Sequence, residues 1–191
     1  MPRFFNKKKQ AEYQLKKGLC YHNGEGVEKD EVKAAQWYRK AAELENGDAE
    51  FNLGRCYQSG EGVEKDLIRA VEWYRKSTEH KNAAGLFGLG ACYDNADGVE
   101  KDPLKAVEFY KKAAELGYAL AQFNLGVCYE YGEGVEKDPV KAVEWYRKAA
   151  EQGNKSAQYN LSVCYYNGKG VERDRAKSAE WYRKVNEQGK T

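Results

Sequence analysis

The stretch AQFNLGVCYEYGEGVEKDPVKAVEWYRKAAEQG, from Ala121 to Gly153, contains two apolar patterns joined by a glycine-rich segment. In its first half, small or apolar residues recur at spacings of four, three and four, which is typical of one face of a helix. The second half repeats this pattern with Ala142, Val143, Tyr146 and Ala149. The stretch therefore predicts a helical hairpin.

The joining segment GEGVEKD, here Gly132 to Asp138, recurs at residues 24–30 and 60–66, with close variants at 96–102 and 168–174. We expect its glycines to end the first helix, where a positive φ is needed, and its Asp to cap the second helix. Pro139 is suited to the first helical position, since the amide it lacks makes no helical bond there. A phosphate-binding loop is disfavoured, because no strand precedes the segment and its acidic residues would repel the anion.

The same pattern repeats along the whole chain without insertions. The five cysteines, Cys20, Cys56, Cys92, Cys128 and Cys164, lie 36 residues apart. A period of this length predicts stacked repeats. The expected fold is an all-α, right-handed solenoid of five helical hairpins, forming one domain over residues 11–190 with repeats 11–46, 47–82, 83–118, 119–154 and 155–190. Residues 1–10 are expected to form a basic tail or a cap on the first repeat.

Written as a consensus, the repeat A-x-x-x-L-G-x-x-Y-x-x-G-x-G-V-x-x-D-x-x-K-A-x-x-W-Y-x-K-A-A-E-x-G closely resembles the Sel-1-like repeat family, relatives of tetratricopeptide repeats. The resemblance covers residues 11–190 and is clearest in the fourth repeat, for example at Leu125, Gly126, Trp145 and Tyr146. It implies an adaptor or scaffold role, with the first helix of each repeat on the concave side. A few relatives were linked to hydrolytic activity, so an enzyme is retained as a third alternative.

Departures from the consensus occur in three repeats. The first has Tyr13 and Lys17 at positions where inner repeats have small or apolar residues, and the fifth has Val185 and Asn186 in place of paired alanines. Polar residues there suit the outer surface that terminal repeats require. The third repeat has Ala96 for a turn glycine and Gly88 within a helix, so we predict that it is the most flexible.

Composition limits the classes of partner. The 32 basic and 30 acidic residues nearly balance and alternate in sign, which argues against nucleic-acid binding. Neither a signal-peptide core nor a membrane-spanning segment is evident, so we expect a cytoplasmic and monomeric protein. The odd number of cysteines, each a whole repeat from the next, predicts buried free thiols. Zinc-type spacing and a nucleophile beside a base are both missing from the sequence, so no metal, cofactor or catalytic residue is expected.

If the recurring residues build the scaffold, the variable face of the first helices is the candidate site. We expect this groove to bind an extended peptide or a partner helix, with Arg55 contacting an acidic group and Leu120, Val127 and Tyr131 as the apolar anchor. Recurring asparagines would bond to peptide backbone. The full candidate set is Asn52, Arg55, Leu120, Asn124, Val127, Tyr131, Asn160, Val163 and Asn167. Two alternatives stay open: the asparagines only satisfy the protein's own backbone, or the chain is a structural spacer or consensus-like repeat protein without a groove ligand.

Overall fold

The computed structural model describes residues 2–187, with side chains from residue 7 onward. Within that range the chain forms helices and turns, and no strand is present. This confirms the predicted all-α class and the arrangement in five helical pairs. The helices are α1 Pro2–Asn23, α2 Glu31–Ala42, α3 Gly47–Ser59, α4 Leu67–Glu79, α5 Ala83–Asn95, α6 Pro103–Glu115, α7 Ala119–Tyr131, α8 Pro139–Glu151, α9 Lys155–Asn167 and α10 Arg175–Glu187.

Aspartate side chains start the second helix of every repeat, as predicted. The Asp66 carboxylate accepts from the Arg69 amide at 3.0 Å, and Asp138 accepts from the amides of Val140 and Lys141. Such a cap contributes about 1 kcal/mol to helix stability. The other three caps are Asp30, Asp102 and Asp174.

The two glycines of each turn have different structural roles. Gly60 has φ +82° and donates its amide to the Cys56 carbonyl, ending α3 in the left-handed conformation predicted from the sequence. Gly62 also has a positive φ, and a Cβ on it would lie well under 3.0 Å from the Glu31 carbonyl oxygen at the start of α2. The second glycine therefore lets the turn of one repeat pack on the preceding repeat, which the sequence analysis did not anticipate.

Buried tyrosines form the centre of the core. Tyr74 is 1% exposed and Tyr146 0% exposed, and both rings pack against a glycine of a neighbouring helix. A Cβ on Gly126 would lie 2.6 Å from the Tyr146 ring, and one on Gly88 would lie 2.9 Å from the Tyr74 ring. Gly88, expected from sequence only to weaken α5, thus also lets α5 approach the Tyr74 ring closely.

Five free thiols are present, as predicted. Cys56, Cys92, Cys128 and Cys164 are buried, whereas Cys20 is half-buried. Burial raises the pKa of the Cys56 and Cys164 thiols to about 11 and of Cys92 to about 12. These cysteines behave as small apolar core residues.

The chain divides into two compact units, Met1–Lys101 and Asp102–Thr191. In the first unit, α1 begins at Pro2, so residues predicted as a tail or cap continue the first helix, and the Lys7 ammonium lies 2.8 Å from the Glu45 carboxylate. Met1 and residues 188–191, which include the end of the predicted fifth repeat, lie outside the described residues. The single-domain division and the flexibility of the third repeat stay predictions.

Candidate functional site

The candidate residues lie on the first helices of their repeats. Asn52 and Arg55 are on α3 in the first unit, while the other seven lie on α7 and α9 in the second unit. The alanine, leucine and cysteine side chains on one face of these helices pack in the core. The opposite face of each helix is therefore available for other contacts.

Exposed apolar side chains occur on the candidate face of the second unit. Leu120 is 46% exposed and Tyr131 64% exposed, at opposite ends of α7. On α9, Val163 is 37% exposed, and Asn167 is exposed at the last helical residue. Asn124 and Val127 lie between Leu120 and Tyr131 along α7 and are half-buried. Single exposed apolar residues are common, but several on one face mark a candidate contact surface.

The Tyr146 hydroxyl holds α7 and α9 together beneath this surface. It donates to the Glu130 carboxylate on α7 at 2.5 Å and also hydrogen bonds to the Asn160 side chain on α9. Burial, followed by the bond to Glu130, raises the Tyr146 pKa well above its ordinary value. The hydroxyl therefore stays protonated and keeps donating at neutral pH.

A salt bridge reinforces the same junction. The Lys169 ammonium, in the turn after α9, lies 2.6 Å from Glu130 and 5.7 Å from the centre of the Tyr131 ring. Burial opposes ionisation of Glu130, but hydrogen bonds from Lys169 and Tyr146 outweigh it and hold the pKa of its carboxyl below the ordinary value. Tyr131 is therefore exposed to solvent while the Lys169 ammonium lies over its ring. A cation in this position is attracted to the face of the aromatic ring.

In the first unit, Arg55 is exposed and its guanidinium carbon lies 6.0 Å from the centre of the Phe51 ring on the same helix. Asn52 is half-buried, and its amide donates to the Asp48 carbonyl at 2.8 Å. The asparagine side chains therefore make internal bonds in both units: Asn52 to its own helix and Asn160 to Tyr146. This matches the alternative that they serve the scaffold.

Two exposed tyrosines on α9 were missed by the sequence analysis. Tyr159 is 51% exposed and Tyr166 53% exposed, and both flank Val163 at spacings of four and three. That helical spacing was readable from the sequence. The spacing alone does not separate exposed from buried aromatic residues, since Phe123, the equivalent of Tyr159, packs against the core with its ring centre 5.9 Å from that of Tyr146.

No helix among the described residues is both long enough and apolar enough to cross a membrane.

Comparison with known proteins identifies the repeat. The Sel1 repeat family matches residues 11–46, 47–82, 83–118, 119–154 and 155–190. A search of curated proteins finds no match.

Three solved structures are similar to the chain. A Sel1 repeat protein from Oxalobacter formigenes is 37% identical, with TM-score 0.84, over 95% of this chain and 72% of that one. A protective antigen of uropathogenic Escherichia coli, c5321, which displays the same repeat fold, is 37% identical with TM-score 0.83, over 96% of this chain and 39% of that one. The immunity protein PA5088 from Pseudomonas aeruginosa is 26% identical with TM-score 0.66, over 94% of this chain and 65% of that one. The fold class expected from the sequence, an α-solenoid of five 36-residue repeats, is confirmed. The chain belongs to the Sel1 repeat family, whose members are typically scaffolds for protein interactions.

Proposed function

We propose that this protein is a non-catalytic scaffold that binds an extended peptide or a partner helix on the α7–α9 face of its second unit. The observation that carries the proposal is the exposure of Leu120, Tyr131 and Val163, which lie opposite the core face of their helices. Residues with no part in the core are free to serve recognition, and tyrosine is among the side chains most often found at binding hot spots.

The surface is held in place before any partner arrives. Tyr146 ties α7 to α9 through Glu130 and Asn160, and Lys169 adds a charged bond to the same carboxylate. Binding of a partner would therefore cost little conformational entropy at this face, which favours affinity. Apolar anchors carry the proposed contact, since the Asn160 side chain already bonds to Tyr146.

A paired-variant experiment tests this surface. Peptides selected on the wild-type protein from a random display library would be measured against Leu120→Ala/Tyr131→Ala by fluorescence anisotropy. We expect at least a tenfold loss of affinity, as for truncation of a buried hot spot. The matched control is Val140→Ala/Tyr182→Ala, which removes another exposed aliphatic and tyrosine pair, 56% and 52% exposed, from α8 and α10 of the same unit. Equal affinity for both double variants would disprove the proposed surface.

Arg55 is proposed separately to contact an acidic group of a partner. Its guanidinium is exposed, and Phe51 lies beneath it. Arg55→Glu should lower the affinity for acidic ligands more than the affinity for neutral ones. The control is Arg69→Glu, which changes another exposed arginine of the first unit. A loss of affinity that does not depend on ligand charge would contradict this role. Cytoplasmic location and a monomeric state stay predictions.

A further inference from the structure

Three side chains from two repeats converge in the first unit. His22 lies near the end of α1, Glu31 is the first residue of α2, and Glu61 is in the turn that follows α3. One ligand atom from each lies within 4.8 Å of the other two. The His22 Nδ1 and the Glu31 Oε2 are 2.8 Å apart. Two ligands of a tetrahedral Zn²⁺ lie about 3.3 Å apart at ordinary bond lengths, so small side-chain rotations would make a coordinating set.

At two other places along the chain, the positions equivalent to His22 and Glu61 hold a hydrogen-bonded pair with a single carboxylate. The Gln58 amide donates to the Asp97 carboxylate at 3.0 Å, and Lys169 pairs with Glu130 at 2.6 Å. His22 occupies the position of Gln58 and Glu130, while Glu61 occupies that of Asp97 and Lys169. In the first repeat a second carboxylate is added, because Glu31 stands where later repeats have Leu67, Pro103, Pro139 and Arg175.

Lys29 does not occupy both carboxylate oxygens of Glu31. Its ammonium lies 2.8 Å from Oε1 of Glu31, which leaves Oε2 directed at His22, and its side chain is 61% exposed. Oε2 of Glu31 is therefore left on the side of the cluster.

A buried hydroxyl without a partner lies beside the same cluster. Tyr38 is 2% exposed, and its hydroxyl has no hydrogen-bond partner in the structure. The corresponding hydroxyls of Tyr74 and Tyr146 donate to Gln58 and Glu130, the residues equivalent to His22. After burial and the charges of Cys56 and Arg55, the Glu31 and Glu61 carboxylates also affect the pKa of the Tyr38 hydroxyl, so they lie in its neighbourhood. An unsatisfied buried hydroxyl is costly, so it indicates a missing acceptor.

We propose that His22, Glu31 and Glu61 bind one transition-metal ion of the Zn²⁺ type, with a water in the fourth position that hydrogen bonds to the Tyr38 hydroxyl. One imidazole and two carboxylates suit Zn²⁺ and its neighbours in the first transition row, and do not suit soft ions that need thiolates. The ion would join α1 and α2 of the first repeat to the turn of the second repeat. This role is independent of the partner surface on α7 and α9.

Calorimetric titration of the purified protein with ZnCl₂ tests the site. We expect one ion per chain, and at least a tenfold weaker affinity for His22→Gln, a variant that places at this position the residue the chain itself has at Gln58. The control is His80→Gln, which removes the other histidine and should leave the affinity unchanged. Binding that survives His22→Gln, or falls equally in both variants, would overturn the proposal, as would no binding by the wild type.

Substitution of Co²⁺ for Zn²⁺ gives a second readout, which reports the ligands of the bound ion. A four-coordinate Co²⁺ with nitrogen and oxygen ligands has visible d–d absorption, which should appear with the wild type and be lost with Glu61→Gln. Glu25→Gln is the matched control, because Glu25 is the equivalent turn residue of the first repeat. Circular dichroism of each variant separates loss of the site from loss of the fold. The same absorption from folded Glu61→Gln would exclude Glu61 as a ligand.

Discussion

A Cβ on Gly85 would lie well under 3.0 Å from the Oγ of Ser77. The two residues belong to facing helices, α5 and α4, and the Ser77 hydroxyl donates to the Gly47 carbonyl at 2.7 Å. The equivalent pairs in other repeats are Ala41 with Ala49 and Ala149 with Ala157, all fully buried. The Ser77 Oγ thus occupies space that is available because Gly85 has no Cβ.

Gly85→Ala should therefore destabilise the protein by about 1–3 kcal/mol, the usual cost of overpacking a core, although alanine favours a helix over glycine. Ser77→Ala/Gly85→Ala should recover part of that loss, since it removes the Oγ and recreates the alanine pair of the other repeats, although the Cβ of residue 77 would still lie 2.5 Å from the new one until the helices move apart. Urea denaturation of the wild type, both single variants and the double variant gives the coupling energy. Additive effects of the two substitutions would show that the residues do not share this space.

Gly62→Ala should be more destabilising than Gly26→Ala. Both glycines have nearly the same positive φ, +72° and +71°, so each alanine incurs a similar backbone strain of about 1 kcal/mol. Only at Gly62 does the new Cβ also meet the backbone of α2, near Glu31, whereas nothing lies within 4 Å of it at Gly26. The difference between the two unfolding free energies measures the contact between turn and helix. Equal losses would contradict this role.

Glu50→Gln should stabilise the protein at neutral pH by about 1 kcal/mol, the value of one buried hydrogen bond. Glu50 is 3% exposed and its Oε2 has no hydrogen-bond partner, although His80 Nε2 is 3.6 Å away. The equivalent Gln122 and Gln158 each donate to a buried carbonyl, which an ionised carboxylate cannot do.

The pH dependence of that variant follows from the raised pKa of Glu50. Burial is the largest cause, and it outweighs the opposing charge of His80. A carboxyl with a folded pKa above its unfolded value stabilises the fold below the unfolded pKa, and this is lost as pH rises through the folded pKa. The advantage of Glu50→Gln should therefore grow as the pH rises above the ordinary carboxyl pKa of 4.5 and through the raised pKa of Glu50. The control is Glu72→Gln, at an exposed position of α4, and a pH-independent difference would exclude Glu50 as the cause.

Thiol labelling should distinguish Cys20 from the other four cysteines by its rate of reaction. Cys20 is half-buried and should react first with a thiol reagent at about pH 8, since the free thiolate is the nucleophile. Burial raises the pKa of Cys56, Cys92 and Cys164, so these thiols stay protonated and enclosed until the chain opens. Cys20→Ser should remove the fast phase. More than one fast-reacting thiol in the wild type would contradict this burial.

Much of the fold could be predicted because the same local sequence signals recur in all five repeats. The apolar spacing of Ala121, Leu125 and Cys128 predicts the buried face of α7, and Asp138 predicts the start of α8. Both features depend on neighbours along the chain, since helical faces and caps involve residues three or four positions apart. The same reasoning placed the candidate residues on first helices, where the structure has them.

The sequence could not predict which side chains are already engaged. Asn160 bonds to Tyr146, and Asn52 to its own helix, so the peptide-gripping role expected of the asparagines lacks support from their contacts. The missed tyrosines Tyr159 and Tyr166 show the same limit, because the exposure of a side chain depends on whether another helix covers it.

The sequence by itself determined the repeat length, the helix faces, the turns and the family, because each of these is specified within about 36 consecutive residues. Only the tertiary structure decided the contacts between repeats. Gly62 against the start of α2, Ser77 against Gly85, and Glu61 beside His22 join residues 8 to 39 positions apart. These contacts depend on how one hairpin packs on the next, which no local pattern encodes.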